Sequence, residues 1–169
     1  MERLVTDGTL RQAAAQLLDL FRARGLKLAT AESCTGGLVA ATLTEIAGSS
    51  DVVDCGFVTY SNEAKQAMLG VPAATLKRHG AVSGQTATAM AAGALKNSDA
   101  DVSVAITGIA GPGGGSKQKP VGLVHFAAAC RDGRRIARSR RYGKIGRRQV
   151  RQRSVAEAFE LLLKLAENA

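Results

Sequence analysis

Apolar residues recur every three to four positions in six segments of the chain, and this period predicts amphipathic helices. The segments are residues 8–24, 36–48, 61–70, 71–80, 83–98 and 146–167. Five shorter stretches are rich in β-branched and aromatic residues and predict strands. The stretches are residues 26–31, 52–60, 101–108, 122–130 and 134–142. Gly25, Gly48 and Gly70 are the predicted ends of the first three helices.

The order of these elements predicts the fold class. Strands alternate with helices in the first half of the chain, which is typical of a parallel sheet covered on both faces. The last two strands are joined at Asp132-Gly133, a two-residue turn signal, and add an antiparallel pair. We therefore predict an α/β fold, a three-layer α/β/α sandwich with a mixed, mainly parallel central sheet. With 169 residues and no internal repeat or linker, the chain is expected to form one domain over residues 1–169.

Composition excludes several classes of protein. No apolar run approaches the 18 or so residues of a membrane span, and "MERLVTDGTLRQ" lacks the apolar centre of a signal peptide, so a cytoplasmic location is expected. Cys34, Cys55 and Cys130 are odd in number and form no C-x-x-C, which favours free and mostly buried thiols over disulfides or zinc. With two histidines in the chain, we expect no metal site.

The charge of the chain indicates what kind of partner it binds. The net charge is +9, and residues 131–153 hold ten arginines and one lysine. This concentration favours an anionic partner. Tyr142 is the one aromatic residue in the segment, so the stacking platform of a single-strand binder is missing. A phosphate on a small ligand is therefore favoured, while nucleic acid and a merely solvated charged face stay open.

Three polar segments follow the first three predicted strands, at the sheet edge where ligands bind in such folds. They read "ESCTGG", "YSNEAK" and "TGIAGPGGG". The first has two interpretations: Ser33 is a helix N-cap, or Ser33 or Cys34 is a nucleophile. Gly36-Gly37 favours the second, because glycine lets a ligand approach the free amides of a helix N-terminus, where an oxyanion would be held.

Lys65 is the candidate base for that nucleophile. It lies 32 residues after Ser33, the length of one strand-helix-strand unit, so both residues would stand at the same sheet edge. A helix dipole beginning at Asn62, burial and neighbouring arginines would lower its pKa from about 10.4 by the roughly 3 units that a base at neutral pH needs. A solvated surface lysine fits the spacing equally well. No Cys/His pair is visible, so we favour Ser33 and interpret Cys34 as a small packing residue.

The glycine-rich segment "GPGGGSK" fits neither standard nucleotide-binding loop. In a P-loop Ser or Thr follows the lysine, whereas here Ser116 precedes Lys117. A G-x-G-x-x-G motif also fails, because Ser116 stands at its last position and no helical pattern follows. The segment is therefore predicted to be a flexible loop after Thr107, which forms an anion nest or a simple turn.

Four motifs occur together and in order: "AESCTGG", "TYSNEAK", "AITGIAGPGGG" and "KPVG". In this combination the chain resembles the CinA C-terminal-domain family over roughly residues 9–166, and enzymatic members of that family are nicotinamide-nucleotide amidases. The resemblance implies that Ser33 is the nucleophile and Lys65 the general base, with Tyr60 and Thr107 as supporting polar residues. It also implies an arginine at the start of the last helix, Arg147.

The implied reaction is hydrolysis of the carboxamide of nicotinamide mononucleotide, a small phosphorylated substrate, to nicotinate mononucleotide and ammonia without a metal or organic cofactor. Substrate and oxyanion contacts are expected from Gly36, Gly37, Gly108, Arg147 and Arg151. The chain has "IGR" where the family often has G-D-R, so it stays open which of Arg147, Arg148 and Arg151 corresponds to the arginine of the family. The resemblance also implies a homo-oligomer. The alternatives are a non-catalytic nucleotide- or nucleic-acid-binding member and an amidase for another phosphorylated amide.

Overall fold

One five-stranded sheet forms the centre of the molecule, in a computed structural model that describes residues 5–167. The strands are β1 (Leu28–Glu32), β2 (Val53–Val58), β3 (Val102–Gly108), β4 (Leu123–Cys130) and β5 (Arg135–Arg141). Their order across the sheet is β2-β1-β3-β4-β5. β1 is parallel to β2 and β3, whereas β4 is antiparallel to both β3 and β5, so it alone of these strands runs against the others. The predicted mixed, mainly parallel sheet is confirmed.

Six helices cover the two faces of this sheet. They are α1 (Asp7–Ala23), α2 (Leu38–Thr44), α3 (Asn62–Leu69), α4 (Ala73–His79), α5 (Gly84–Lys96) and α6 (Arg147–Glu167). Side chains alternate along β3: Val104 and Ile106 pack in the core under α1 and α6, and Ala105 packs in the core under α5. The Ser103 hydroxyl, on the α5 face, donates to the Ala91 carbonyl at 2.8 Å. The predicted three-layer sandwich is therefore confirmed.

Small residues on α5 let the α3 helix approach closely. The closest point is Gly93, where an added Cβ would lie 2.0 Å from the Leu69 carbonyl oxygen. No side chain fits at this crossing, so the position of α3 depends on the absence of a Cβ at residue 93.

The end of α2 differs from the sequence prediction. α2 ends at Thr44, and Gly48 instead begins a single 3₁₀ turn over Ser49–Asp51. The β4–β5 connection has the three residues that the predicted strands left between them: the Gly133 amide donates to the Cys130 carbonyl at 3.1 Å, and the Cys130 amide donates to the Arg134 carbonyl at 2.8 Å. Gly133 has φ +95°, so the connection is a three-residue turn with a glycine bulge.

The described part of the chain holds all three cysteines and both histidines. Across residues 5–167 there is no helix of the length and apolar character needed to cross a bilayer. In the same range no group of three His, Cys, Asp or Glu side chains could hold a metal ion. Cys34 and Cys130 are buried and Cys55 is partly buried, and all three are free thiols, as predicted.

Candidate active site

Ser33 lies in a tight turn directly after β1. Its amide donates to the Ile106 carbonyl of β3 at 2.9 Å, and its own carbonyl accepts from the Gly36 amide at 3.0 Å. α2 begins five residues later, with Gly37 at its N-cap position and no capping side chain. The N-cap interpretation of Ser33 is therefore wrong, and its hydroxyl is not used by α2.

Lys65 contacts the Ser33 hydroxyl from the neighbouring strand-helix connection. α3 begins at Asn62, capped by the Ser61 hydroxyl, which places Lys65 near its start. The Lys65 side chain is 1% exposed. Its Nζ lies 3.0 Å from Ser33 Oγ, 2.8 Å from the Thr59 carbonyl oxygen and 3.3 Å from the Tyr60 carbonyl oxygen. The predicted shared sheet edge is confirmed, and the solvated-lysine interpretation is wrong.

The surroundings of Lys65 favour its neutral form. Burial lowers the pKa of the amine from its ordinary 10.5, and the Cys34 thiol acts more weakly in the opposite direction. Of the three causes expected from the sequence, burial is thus the leading one. A neutral amine has two hydrogens and one lone pair. Lys65 Nζ donates in all three contacts; in a neutral amine whose two hydrogens go to the carbonyls of Thr59 and Tyr60, the lone pair would face the Ser33 hydroxyl.

Cys34 is a packing residue, as predicted. Its side chain belongs to the core cluster between the sheet and α1, α2 and α6. Burial raises the pKa of its thiol to about 12. The reactive thiolate is therefore scarce at neutral pH, which removes the main advantage of cysteine as a nucleophile.

Glu32 precedes Ser33 and was given no role from the sequence. Its side chain is 1% exposed, and its carboxylate accepts from the Val39 amide at 2.8 Å and the Ala40 amide at 3.1 Å. These are amides of the α2 N-terminus, which the carboxylate caps. The signal was present in the sequence: a helix that starts with two glycines has no side-chain cap of its own, so a carboxylate nearby is available to it.

This cap changes the predicted oxyanion site. The Gly36 amide bonds the Ser33 carbonyl, and Glu32 takes the two amides at the start of α2. Gly36 and Gly37 also do not border the cavity at Ser33. The amides of Gly36, Val39 and Ala40 are therefore already paired, and the structure gives no support to the predicted oxyanion contact at Gly36 and Gly37.

A cavity of about 280 Å³, the Ser33 cavity, opens in front of Ser33 and Lys65. The residues around it come from four connections and from α3, β3 and α6; they are Ser33, Cys34, Tyr60, Lys65, Ala81, Val82, Thr107, Gly108, Ile109, Ala110, Gly111, Gly113, Gly114 and Arg147. Thr107 borders it, and its hydroxyl donates to the Ala81 carbonyl at 2.7 Å, which fixes the opposite wall. Gly108 is a site of close approach, since a Cβ there would lie 2.8 Å from the Leu123 carbonyl oxygen.

Arg147, the first residue of α6, spans the mouth of the Ser33 cavity. One terminal nitrogen donates to the Gly111 carbonyl at 2.9 Å and the other to the Tyr60 hydroxyl at 3.0 Å. Tyr60 is 58% exposed. Arg151 does not border this cavity; it donates to the Thr35 carbonyl at 2.9 Å, behind the Ser33 turn.

Most arginines of residues 131–153 are already bound within the fold. Arg131 donates to carbonyls near the end of α5, and Arg134 donates to Asp132 and to the Leu165 carbonyl. Arg138 and Arg140 both pair with the buried carboxylate of Glu157 on α6. The run therefore connects α5, β5 and α6, which weakens it as a sign of a nucleic-acid partner.

Comparison with known proteins identifies the family of this chain. The family model of the CinA C-terminal domain matches residues 10–166. The chain belongs to this family. A CinA relative from Escherichia coli (strain K12), named nicotinamide-nucleotide amidohydrolase PncC, is 50% identical over 158 residues, which are 94% of this chain and 95% of that protein.

Other CinA relatives differ in length. A putative competence-damage inducible protein of Caldicellulosiruptor bescii is 56% identical over 116 residues, and the match spans 28% of that protein. The crystal structure of the competence/damage inducible protein CihA from Agrobacterium tumefaciens is 54% identical, with a TM-score of 0.92 over 98% of this chain and 99% of that chain. The CinA domain thus occurs nearly alone in some relatives and as a part of others.

Proposed function

We propose that the protein is an amidohydrolase that converts nicotinamide mononucleotide and water into nicotinate mononucleotide and ammonia. The observation that carries the proposal is the 3.0 Å contact between Lys65 Nζ and Ser33 Oγ at the border of a cavity. A relative covering almost the whole chain bears the name nicotinamide-nucleotide amidohydrolase, which supports this choice of substrate.

Neutral Lys65 is the general base of the proposed first step. It takes the Ser33 proton while Oγ forms a bond to the carboxamide carbon. The resulting ammonium then gives its proton to the leaving nitrogen as the C–N bond breaks, which releases ammonia and leaves an ester on Ser33. Water attacks this ester with Lys65 again as base. The proton then returns to Ser33 Oγ, so the enzyme ends as it began.

The remaining residues of the Ser33 cavity bind and position the substrate in this proposal. Gly111, Gly113 and Gly114 border the cavity, and their backbone amides are the candidates for holding the oxyanion, in place of the amides that Glu32 occupies. Thr107 acts indirectly, because its hydroxyl holds the Ala81 carbonyl at the wall of the cavity. Tyr60 and Arg147 stand at the mouth, where they contact the part of the substrate that extends beyond the cavity.

Ammonia release from nicotinamide mononucleotide tests the proposal. Ser33→Ala and Lys65→Ala are expected to lower kcat by at least about 10³-fold, because the first removes the proposed nucleophile and the second removes the base that accepts its proton. Cys34→Ala is the matched control in the same turn and is expected to keep most of the activity. Turnover by Ser33→Ala at the parent rate would refute the nucleophile, and a folded parent that releases no ammonia would favour a non-catalytic binding role.

Two further points of the proposal are separate from the Ser/Lys pair. A panel of phosphorylated amides distinguishes the mononucleotide from another substrate of the same class. The homo-oligomer stays a prediction from the family, and light scattering of the purified chain tests it.

A further inference from the structure

The Ser33 cavity is small for a whole mononucleotide. Its volume is about 280 Å³, just below the range of roughly 300–1,000 Å³ that is usual for small-molecule sites. We therefore place the pyridine ring and its carboxamide in this space and the ribose and phosphate beyond it. Arg147 stands at the mouth through which they would leave.

A second cavity, which we call the arginine cleft, begins on the other side of Arg147. It lies between α1, α2 and α6 and has a volume of about 520 Å³. Leu10, Leu38 and Thr42 line it together with three arginines of α6, which are Arg147, Arg148 and Arg151. Arg147 borders both cavities, so a ligand longer than the Ser33 cavity meets the arginine cleft next.

The chain between the two cavities carries no large side chain. Cys34 borders the Ser33 cavity, Leu38 borders the arginine cleft, and Gly36-Gly37 lies between them in sequence. Gly36 is exposed, and both glycines have positive φ, +57° and +97°. A Cβ on Gly36 would lie 3.7 Å from a terminal nitrogen of Arg151, and a Cβ on Gly37 would lie 3.4 Å from a methyl carbon of Val58. A sugar that crosses the glycine pair therefore passes beside the Arg151 guanidinium.

The charge of the arginine cleft suits a dianion. Its arginines lie at the N-terminus of the 21-residue α6, whose first turn has no acidic residue, so the side chains add to the positive end of the helix dipole. Arg147 and Arg151 donate to uncharged oxygens of Gly111, Tyr60 and Thr35.

Two carboxylates also border the cleft. Asp7 pairs with Arg148 at 3.0 Å in an exposed contact, and Glu45 stands at the end of α2. Exposed pairs of this kind contribute little to stability, so a phosphate can compete with Asp7 for Arg148.

We propose that the ribose and phosphate of the substrate cross Gly36-Gly37 and that the phosphate binds in the arginine cleft, to Arg148 and Arg151. This proposal rests on the proposed function and adds the subsite that selects a phosphorylated nucleoside. It also assigns a role to the glycine pair that differs from the predicted oxyanion site.

Arg148→Gln is the decisive variant, because Arg148 does not border the Ser33 cavity or contact the Ser33 turn. We expect it to raise KM for nicotinamide mononucleotide about tenfold with kcat within about twofold of the parent. Its kinetics with nicotinamide riboside, which lacks the phosphate, should equal those of the parent. Asp7→Asn should lower KM for the mononucleotide, since it removes the competing carboxylate. Arg135→Gln replaces an exposed arginine on β5. It is the matched control and should change neither KM nor kcat.

Binding of ribose 5-phosphate, measured by calorimetry, separates the two proposals because it needs no turnover. If the parent binds ribose 5-phosphate and Arg148→Gln does not, the arginine cleft is a phosphate site even where no ammonia is released. If the parent hydrolyses the mononucleotide but Arg148→Gln keeps the parent KM, the subsite is wrong and the amidase stands. If Arg148→Gln raises KM equally for the mononucleotide and the riboside, the proposed phosphate subsite is also wrong.

Discussion

Lys65 is the residue on which the proposed chemistry depends. It is held between two backbone carbonyls and a hydroxyl, and burial lowers its pKa. These partners are uncharged, so no carboxylate among them restores the ammonium form. In the proposed mechanism, the fold thus prepares the proton acceptor before substrate arrives.

The kcat of the protein is expected to depend on pH. A base must be deprotonated, so kcat is expected to rise with pH as Lys65 loses its proton, with a midpoint below the ordinary lysine pKa of 10.5 and a plateau above it. A pH profile of kcat with saturating nicotinamide mononucleotide measures this. A kcat that is independent of pH from 5 to 10, or that falls across this range, would contradict the role of Lys65 as base.

Glu32 is the second residue whose removal has a defined effect. Glu32→Ala leaves the buried amides of Val39 and Ala40 without an acceptor, which is expected to lower the free energy of unfolding by about 2–3 kcal/mol. Glu32→Gln keeps one carbonyl oxygen and should lose less. Urea unfolding measures both, and an alanine variant as stable as the parent would show that the cap contributes nothing.

At the scale of elements, the crossing of α3 and α5 fixes the distance between Lys65 and Ser33. Lys65 and Leu69 are both on α3, and Leu69 is the residue that α5 approaches at Gly93. A shift of α3 at this crossing would therefore move Lys65 as well. Positioning of the base thus depends on a residue outside the cavity.

Gly93→Ala tests this dependence. A Cβ 2.0 Å from the Leu69 carbonyl oxygen forces α3 away, so we expect a loss of about 1–3 kcal/mol in unfolding free energy and a fall in kcat of at least about tenfold. Gly84→Ala on the same helix is the control, because its nearest neighbour would be 3.8 Å away and no clash follows. The dependence would be disproved by a Gly93→Ala variant with the parent kcat.

The elements themselves were largely predictable, whereas several contacts between them were not. Periodicity places α6 and β3 within one or two residues, because apolar spacing is a local property. The shared sheet edge of Ser33 and Lys65 followed from the length of a strand-helix-strand unit, but their contact did not, because the spacing fits a solvated lysine equally well. The missing side-chain cap of α2 was a signal in the sequence, but the choice of Glu32 as the cap depends on which carboxylate the tertiary structure brings near these amides.

On the scale of the whole molecule, the arginines join the layers of the sandwich. Glu157 on α6 holds Arg138 and Arg140 of β5, and Arg131 reaches the end of α5 on the other face. The sequence gives the charge of each side chain but not its partner. For this reason the segment suggested an external anion more strongly than the structure does.

Binding to DNA is expected to be weak as a result. With a net charge of +9 the protein should bind duplex DNA at about 50 mM salt and release it by about 200 mM, because only nonspecific charge contributes. Arg135→Gln and Arg141→Gln, at exposed positions of β5, should weaken this binding further. Fluorescence anisotropy of labelled DNA measures it, and binding that persists at 200 mM salt would favour a nucleic-acid partner.

The burial of Lys65 also has a consequence for chemical durability. A neutral amine is the form that reacts with carbon dioxide, aldehydes and other electrophiles, so a base kept deprotonated in water would be consumed by them. Here the side chain is 1% exposed and the Ser33 hydroxyl lies at the tip of the amine. The same burial that favours the neutral form therefore also shields it from these reagents.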